Sequence, residues 1–136
     1  MPPNLRRTLA TLVLGLSVVA ASCATDDSSR VFFIEPIDGA TVSSPVSVQM
    51  DVADFILEPA TEGVNEGRGH LHVMVDAPCV QPRLTVPPDA QHLHFGKAQT
   101  TTVLDLAPGE HFLCLQAADG KHTALRATHE ITITVR

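Results

Sequence analysis

The sequence predicts an all-β fold, an immunoglobulin-like antiparallel β-sandwich of about seven strands, preceded by an N-terminal signal segment. Three observations favour this class. Short runs after residue 30 place apolar side chains at every second position, which is the period of a half-buried strand. Pro and Gly separate these runs at regular intervals. No stretch of residues 31–136 repeats its apolar positions with the period of a helix.

Each predicted strand is defined by its alternation and by the turn that ends it. The run VSVQMDV (46–52) places Val and Met on one face and Ser, Gln and Asp on the other, so one face is buried and the other meets water. The Gly- and Glu-rich stretch 58–69 is typical of a loop, and residues 78–88 form a Pro-rich connection. In chain order, the predicted strands are 31–35, 46–52, 69–76, 91–96, 100–106, 111–117 and 130–136.

The first 22 residues (1–22) have the pattern of a secretory signal peptide. Two arginines precede an uncharged apolar run over 9–21 that is too short for a membrane-spanning helix. Cys23 follows three small residues, which resembles the lipidation motif of bacterial lipoproteins, although Ala20 stands where Leu is usual. We expect lipidation of Cys23, with ordinary cleavage near Ala24 as the alternative. Either outcome exports the protein to the periplasm or cell envelope.

Length and charge limit what the exported chain can be. Residues 23–30 are small and polar, as in a flexible tether, which leaves 31–136 as one β-sandwich domain with one core. Once the two arginines of the signal are removed, 7 basic side chains face 15 acidic ones, and the chain has no Tyr or Trp. Nucleic-acid binding needs a basic surface and aromatic stacking platforms, so that class of partner is excluded. The expected partner is the membrane, through a lipid on Cys23.

Two cysteines remain in the domain, Cys79 and Cys114. In an oxidising compartment they predict one disulfide, which would close a loop of about 35 residues and pin the Pro-rich connection to a neighbouring strand. The alternative is a pair of thiolate metal ligands, which would need a reducing environment or a tightly held metal. Strand parity sets Cys114 opposite to Leu113 and Leu115, so it is expected to face outward.

Two His-x-His pairs carry the most specific chemistry in the sequence. In GHLHVMVD (69–76), alternate residues share a face, so His70, His72 and Met74 point away from the apolar trio of the same strand. In QHLHFG, His92 and His94 likewise point away from Leu and Phe. Because the apolar residues account for the core, both pairs are expected on the outer face or at the sandwich edge.

Imidazoles two residues apart on a strand project in parallel, about 6.5–7 Å apart, and neighbouring strands could direct all four nitrogens at one ion. His70, His72, His92 and His94 are therefore the predicted metal ligands, with copper or zinc as the metal that suits imidazole in an exported protein. Met74 and His122 are possible additional ligands. His111 is expected to be a corner residue that bonds the backbone.

Four segments resemble a family of small exported bacterial domains catalogued as a domain of unknown function. They are VFFIEPIDGATVSSPVSV, GHLHVMVD, PPDAQHLHFGKAQT and LDLAPGEHFLCLQAADG, which together cover most of residues 31–120. The resemblance implies an exported immunoglobulin-like β domain and brings no activity. Members often have a further His-rich turn after the corner strand, whereas DGKHTALRATHE here has His122 alone in that turn.

No enzyme is predicted, because the chain has no nucleophile elbow, paired-carboxylate motif or phosphate loop. Two functions are left open. The first is an exported binding module for copper or zinc. The second is a structural or interaction domain of the cell envelope, without metal, in which the histidines bind one another, water or acidic neighbours.

Overall fold

The computed structural model of the protein describes residues 29–136. The expected signal peptide, the lipidation of Cys23 and all but the last two residues of the tether lie outside these described residues. Within them no α-helix forms, and one 3-10 turn covers Ala60–Glu62. The strands are β1 (Arg30–Glu35), β2 (Thr41–Val42), β3 (Val46–Ala53), β4 (Ile56–Leu57), β5 (Arg68–Val75), β6 (His92–Phe95), β7 (Thr101–Leu104), β8 (Gly109–Ala118) and β9 (Ala124–Val135). In this part of the chain, no helix has the length and apolar character that crossing a bilayer requires.

The strands form two sheets. The smaller has the order β1-β3-β7 with antiparallel pairs. In the larger, β9, β8 and β5 are antiparallel neighbours, and β2 pairs with β9 in parallel. Two strands pair with the edge of β5 that is not paired with β8. β4 pairs with the first two residues of β5, and β6 pairs antiparallel with Leu71–Met74. The predicted all-β sandwich is confirmed. Each predicted run overlaps one strand, and the two-residue strands β2 and β4 lie outside the predicted runs.

The main core lies between the two sheets and follows the period-two pattern of the sequence. On β5, Leu71 and Val73 are fully buried in it, as the alternation predicts. Their burial leaves the opposite face of β5, with His70 and His72, outside this core. The other strands contribute Val31, Phe33, Val46, Val48, Met50, Leu104, Leu113, Leu115, Ile131, Ile133 and Val135.

The outer face of the larger sheet carries a second, smaller core. Met74 from β5 and Cys114 from β8 lie side by side in the strand register, and neither has any exposed surface. The Pro-rich segment 78–88, here called the strap, crosses this face and contributes Val86 to the cluster. The expectation that this face meets water, with Cys114 outward, is therefore wrong. Strand parity identifies the face, but a segment elsewhere in the chain buries it.

The strap is fastened to the sheet at several points. Cys79 and Cys114 form a disulfide, which confirms the predicted bridge. Gln116, wholly buried on β8, accepts a hydrogen bond from the N–H of Val80 and donates one to its carbonyl. At the other end, Val86 N–H donates to the turn between β8 and β9. The strap is therefore a fixed wall beside the histidine-bearing strands.

Candidate metal centre

Four of the seven histidines converge on the outer face of the larger sheet. His70 and His72 come from β5, His94 from β6, and His122 from the turn between β8 and β9. The register sets His94 directly opposite His72. It pairs His70 with Ala118, the last residue of β8, which places His70 next to that turn. Two strand pairings and one turn thus bring the four rings together.

The ring nitrogens of these four residues, here called the His cluster, lie close enough to share one ion. Nε2 of His70 is 3.1 Å from Nε2 of His72, and Nε2 of His122 is 3.1 Å from Nε2 of His94. All six pairs of ring centroids are 4.7 to 5.8 Å apart. One nitrogen from each ring can be chosen so that all four lie within 4.8 Å of one another.

Gly96 leaves the space that the His94 ring occupies. A Cβ added at Gly96 would overlap Cε1 and Nε2 of that ring. Any side chain at position 96 would therefore push His94 away from its neighbours or reshape the turn after β6. The sequence His-Leu-His-Phe-Gly thus encodes both a candidate ligand and the space that its ring occupies.

Hydrogen bonds within the turn and from the strap fix the turn that carries His122. His122 has a backbone φ of 63°, a left-handed conformation that is uncommon for a residue with a side chain. The carboxylate of Asp119 accepts hydrogen bonds from the N–H groups of Lys121 (2.8 Å) and Thr123 (2.9 Å), and its carbonyl accepts one from His122 N–H (2.8 Å). The carbonyl of His122 accepts the bond from Val86 of the strap at 2.9 Å. The His122 backbone is therefore fixed at both of its polar groups.

Burial divides the cluster into an inner and an outer pair. His70 is 0% and His72 3% exposed, whereas His94 is exposed and His122 is half-buried. Nδ1 of His70 and Nδ1 of His72 are buried and have no hydrogen-bond partner among the described residues. A buried polar atom without a partner costs about 1–3 kcal/mol. Hydrogen bonds to the surrounding protein therefore do not explain why His70 and His72 are buried.

The surroundings of three cluster residues, His70, His72 and His94, favour the neutral imidazole. Burial is the main cause that lowers the pKa of His70 to about 4 and that of His72 to about 3, and the neighbouring rings add to the effect. Burial also lowers the pKa of His94, with a further contribution from His122. These three rings are neutral at physiological pH, and neutral imidazole is the form that donates a lone pair to a metal.

The geometry of the cluster fits a four-nitrogen ion site after a small contraction. Two nitrogens bound to one tetrahedral Zn²⁺ at about 2.1 Å lie about 3.4 Å apart. Two of the nitrogen pairs here are already at 3.1 Å, and no pair exceeds 4.8 Å. Ring rotations that move the widest pair closer by about 1.4 Å would complete the site. All four donors are imidazoles, which suits Cu²⁺ and Zn²⁺.

The structure brings together three of the four predicted ligands and sets His122 in the place expected for His92. Because β6 runs antiparallel to β5, the step from His94 to His92 leads away from His70 and towards Met74. Nδ1 of His92 bonds Oδ1 of Asp89 at 2.6 Å instead. Met74, the other possible ligand, lies in the second core. His70 and His72 lie on the outer face of the larger sheet, as expected, but they are buried there, which the sequence did not predict.

Two residues that matter to the site were not identified from the sequence. Gln116 is a lone polar residue in the buried run LCLQAA, a signal that its amide must find partners inside the protein. Gly96 directly follows a His-x-His-Phe strand, a signal of close approach by a neighbouring group. Neither signal says which group approaches, because the partner is set by the fold.

Comparison with known proteins identifies the family of this chain. No curated protein matches the chain. Among solved structures, an endo-beta-1,4-mannanase from Thermotoga petrophila is similar at 21% sequence identity and a TM-score of 0.46, over 79% of this chain and 20% of that one. The chain thus spans about one fifth of that enzyme's length. The model of the family described as "Domain of unknown function (DUF4399)" matches residues 48–136, which include the whole His cluster. The chain therefore belongs to this family of unknown function, as the resemblance implied.

Proposed function

We propose that this protein is an exported binding module that holds one Cu²⁺ or Zn²⁺ ion through His70, His72, His94 and His122. The observation that carries the proposal is the inner pair. Two buried imidazoles set their Nε2 atoms 3.1 Å apart, and among the described residues neither ring hydrogen-bonds a residue outside the cluster. Coordination would offset the cost of burying them, since each metal–nitrogen bond replaces solvation that the ring has lost.

The choice of metal follows from the donors. Four imidazoles without a carboxylate or thiolate among them favour Cu²⁺ and Zn²⁺ over Mg²⁺, Ca²⁺ and Mn²⁺, which prefer oxygen. Of the two, Cu²⁺ should bind more tightly, because imidazole sites follow the Irving–Williams order. We infer a binding role rather than catalysis, because the site adds no nucleophile or acid–base pair to the four donors.

Calorimetry on the exported protein, purified without a His tag and titrated with CuCl2 and then ZnCl2, tests the proposal. One ion per chain, bound with sub-micromolar affinity, is the expected result. A His72→Ala, His94→Ala double variant should lose this binding, because it removes one inner and one outer donor. His129→Gln is the matched control, since His129 lies outside the cluster and its Nδ1 accepts a hydrogen bond from Phe33 N–H.

Absence of binding in the wild-type protein at tens of micromolar metal would overturn the metal proposal. The alternative function, a structural or interaction domain of the envelope, would then take its place. In that case the four rings would act only by packing against one another at the centroid distances of 4.7 to 5.8 Å.

Export and anchoring are part of the same proposal. The N-terminal pattern supports export, and the disulfide between Cys79 and Cys114 supports an oxidising compartment. Cell fractionation with labelling by a radioactive fatty acid tests both points. The wild-type protein should be in the membrane fraction and labelled, whereas Cys23→Ser should be unlabelled. Label retained in Cys23→Ser would contradict lipidation at that residue.

A further inference from the structure

A cavity of about 220 Å³ opens onto the His cluster. It is lined by His72, His94 and His122 of the cluster and by residues 85–88 of the strap. It also reaches His92. Three of the four proposed metal donors therefore face a space large enough for a few water-sized molecules, at about 30 Å³ for each.

The cavity lies on the solvent side of the buried donor His70, which does not line it. The strap residues that line the cavity are Thr85, Val86 and two prolines. The strap wall contributes no ionisable side chain to the ion. A divalent ion held only by neutral rings keeps its full charge, which favours an additional donor from solution.

His92 lines the same cavity but stands apart from the cluster. Its Nδ1 lies 2.6 Å from Oδ1 of Asp89, and a carboxylate has no proton to give, so Nδ1 carries the hydrogen. The hydrogen bond to His92 is the largest cause that lowers the pKa of Asp89, which keeps this acceptor ionised. With Nδ1 engaged by Asp89, Nε2 is the ring nitrogen of His92 that is left to meet a guest in the cavity.

We propose that this cavity receives one small monodentate ligand, a protic oxygen or nitrogen donor such as water, which coordinates the ion of the His cluster and donates a hydrogen bond to Nε2 of His92. The proposal rests on the metal site proposed above. His92 is then a positioning residue for the ligand and not a metal donor. The expected resting ligand is water, and a small anion of similar size should replace it.

Azide titration of the copper-loaded full chain tests the cavity. Calorimetry first establishes copper content, and the charge-transfer band and electron paramagnetic resonance spectrum of Cu²⁺ then report azide. Thr85→Trp should fill the cavity and weaken azide binding at least tenfold at unchanged copper content. Leu84→Trp is the matched control, because Leu84 is the adjacent strap residue, is 55% exposed and does not line the cavity. Pro87→Trp, at another exposed cavity residue, repeats the test with a second variant.

The outcomes separate the two proposals. If no copper binds, both the metal site and the ligand proposal are overturned. If copper binds but azide leaves the wild-type spectra unchanged, or affects Thr85→Trp and Leu84→Trp equally, the ligand proposal alone fails.

His92→Phe tests the positioning role of His92. This role predicts tighter azide binding in the variant, whereas a structural defect would not make azide bind more tightly. Water loses its hydrogen-bond acceptor in this variant, whereas azide, which has no proton, loses nothing. Azide should therefore bind about fivefold to tenfold more tightly than to the wild-type protein, the effect of removing one hydrogen bond from its competitor. Unchanged or weaker azide binding at full copper content would overturn the role of His92.

Discussion

The His cluster and the corner around His111 use the same side chain in opposite ways. Nδ1 of His111 lies 2.8 Å from Oδ2 of Asp76, and its Nε2 lies 2.8 Å from the carbonyl of Ala107. Both acceptors lack a proton, so both ring nitrogens must donate, and the ring is an imidazolium when both bonds are made. In the cluster, each inner ring has one nitrogen aimed at other nitrogens and one nitrogen without a partner among the described residues.

The pKa values follow the partners. The carbonyl of Ala107 and then the carboxylate of Asp76 raise the pKa of His111, whereas burial among other imidazoles lowers those of His70 and His72. His111 is thus stabilised as a cation that ties the start of β8 to the end of β5, and it bonds the backbone at a corner, as predicted. The lowered pKa values keep His70, His72 and His94 as neutral rings with lone pairs. The first arrangement fixes a corner of the fold, and the second leaves the lone pairs that the proposed ion would need.

The largest effect that separates the two regions should be on metal affinity. We expect His72→Ala to weaken Cu²⁺ binding at least 100-fold, because it removes a buried donor from a four-donor site. His111→Gln should change the affinity less than twofold, since its ring bonds Asp76 and Ala107. Competition titration against a chromophoric chelator measures both. Equal losses in the two variants would show that the affinity reflects general stability and would remove the distinction.

A smaller effect is expected from Gly96→Ala, which leaves every donor in place. The new methyl group would overlap the His94 ring and displace it, so we expect Cu²⁺ affinity to fall about tenfold. A double-mutant cycle with His94→Ala supplies the control. Once His94 is removed, Gly96→Ala should have no further effect on affinity. A loss that persists without His94 would mean that the glycine acts on the fold and not on the ligand.

The pH dependence of stability should have opposite signs in the two regions. The pKa values of His70 and His72 in the folded state lie below the ordinary 6.5, so the unfolded chain binds more protons. Their contribution is present above pH 6.5 and is lost as the pH falls towards 4. The pKa of His111 is raised, so its contribution is present below 6.5 and is lost as the pH rises through its folded-state value.

Denaturant unfolding with a metal chelator present, repeated across this pH range, tests the signs. We expect His72→Phe to make the loss of stability on the acid side shallower, with a difference of a few kcal/mol over the range. His111→Gln should alter only the dependence on the alkaline side of 6.5. If both variants changed the pH dependence of stability on the same side of pH 6.5, the contrast between the two regions would be contradicted.

The sequence predicts a residue of this site when its placement is set within one strand, and it fails when the placement is set by the rest of the fold. Period two placed His70 with His72, and His92 with His94, each pair on one face of its own strand, because parity is local to a strand. It could not choose between His92 and His122, because that choice depends on strand direction and on where the turn between β8 and β9 lies. The burial of the cluster was missed for a similar reason, since the strap that covers the face lies outside these strands.

The smallest effect concerns the corner itself. Asp76→Asn removes the charge from one partner of His111 while keeping the shape of the side chain, and Asp76 is largely exposed, so solvent weakens the ion pair. We therefore expect the free energy of unfolding at pH 6 to fall by about 0.5–1 kcal/mol. Part of this loss comes from the hydrogen bond that Phe112 N–H donates to the same carboxylate. Unfolding of the metal-free protein measures this loss, and Cu²⁺ affinity should be unchanged. A fall in affinity would show that the corner steadies β5 beneath the His cluster, and the two regions would then be coupled through one strand.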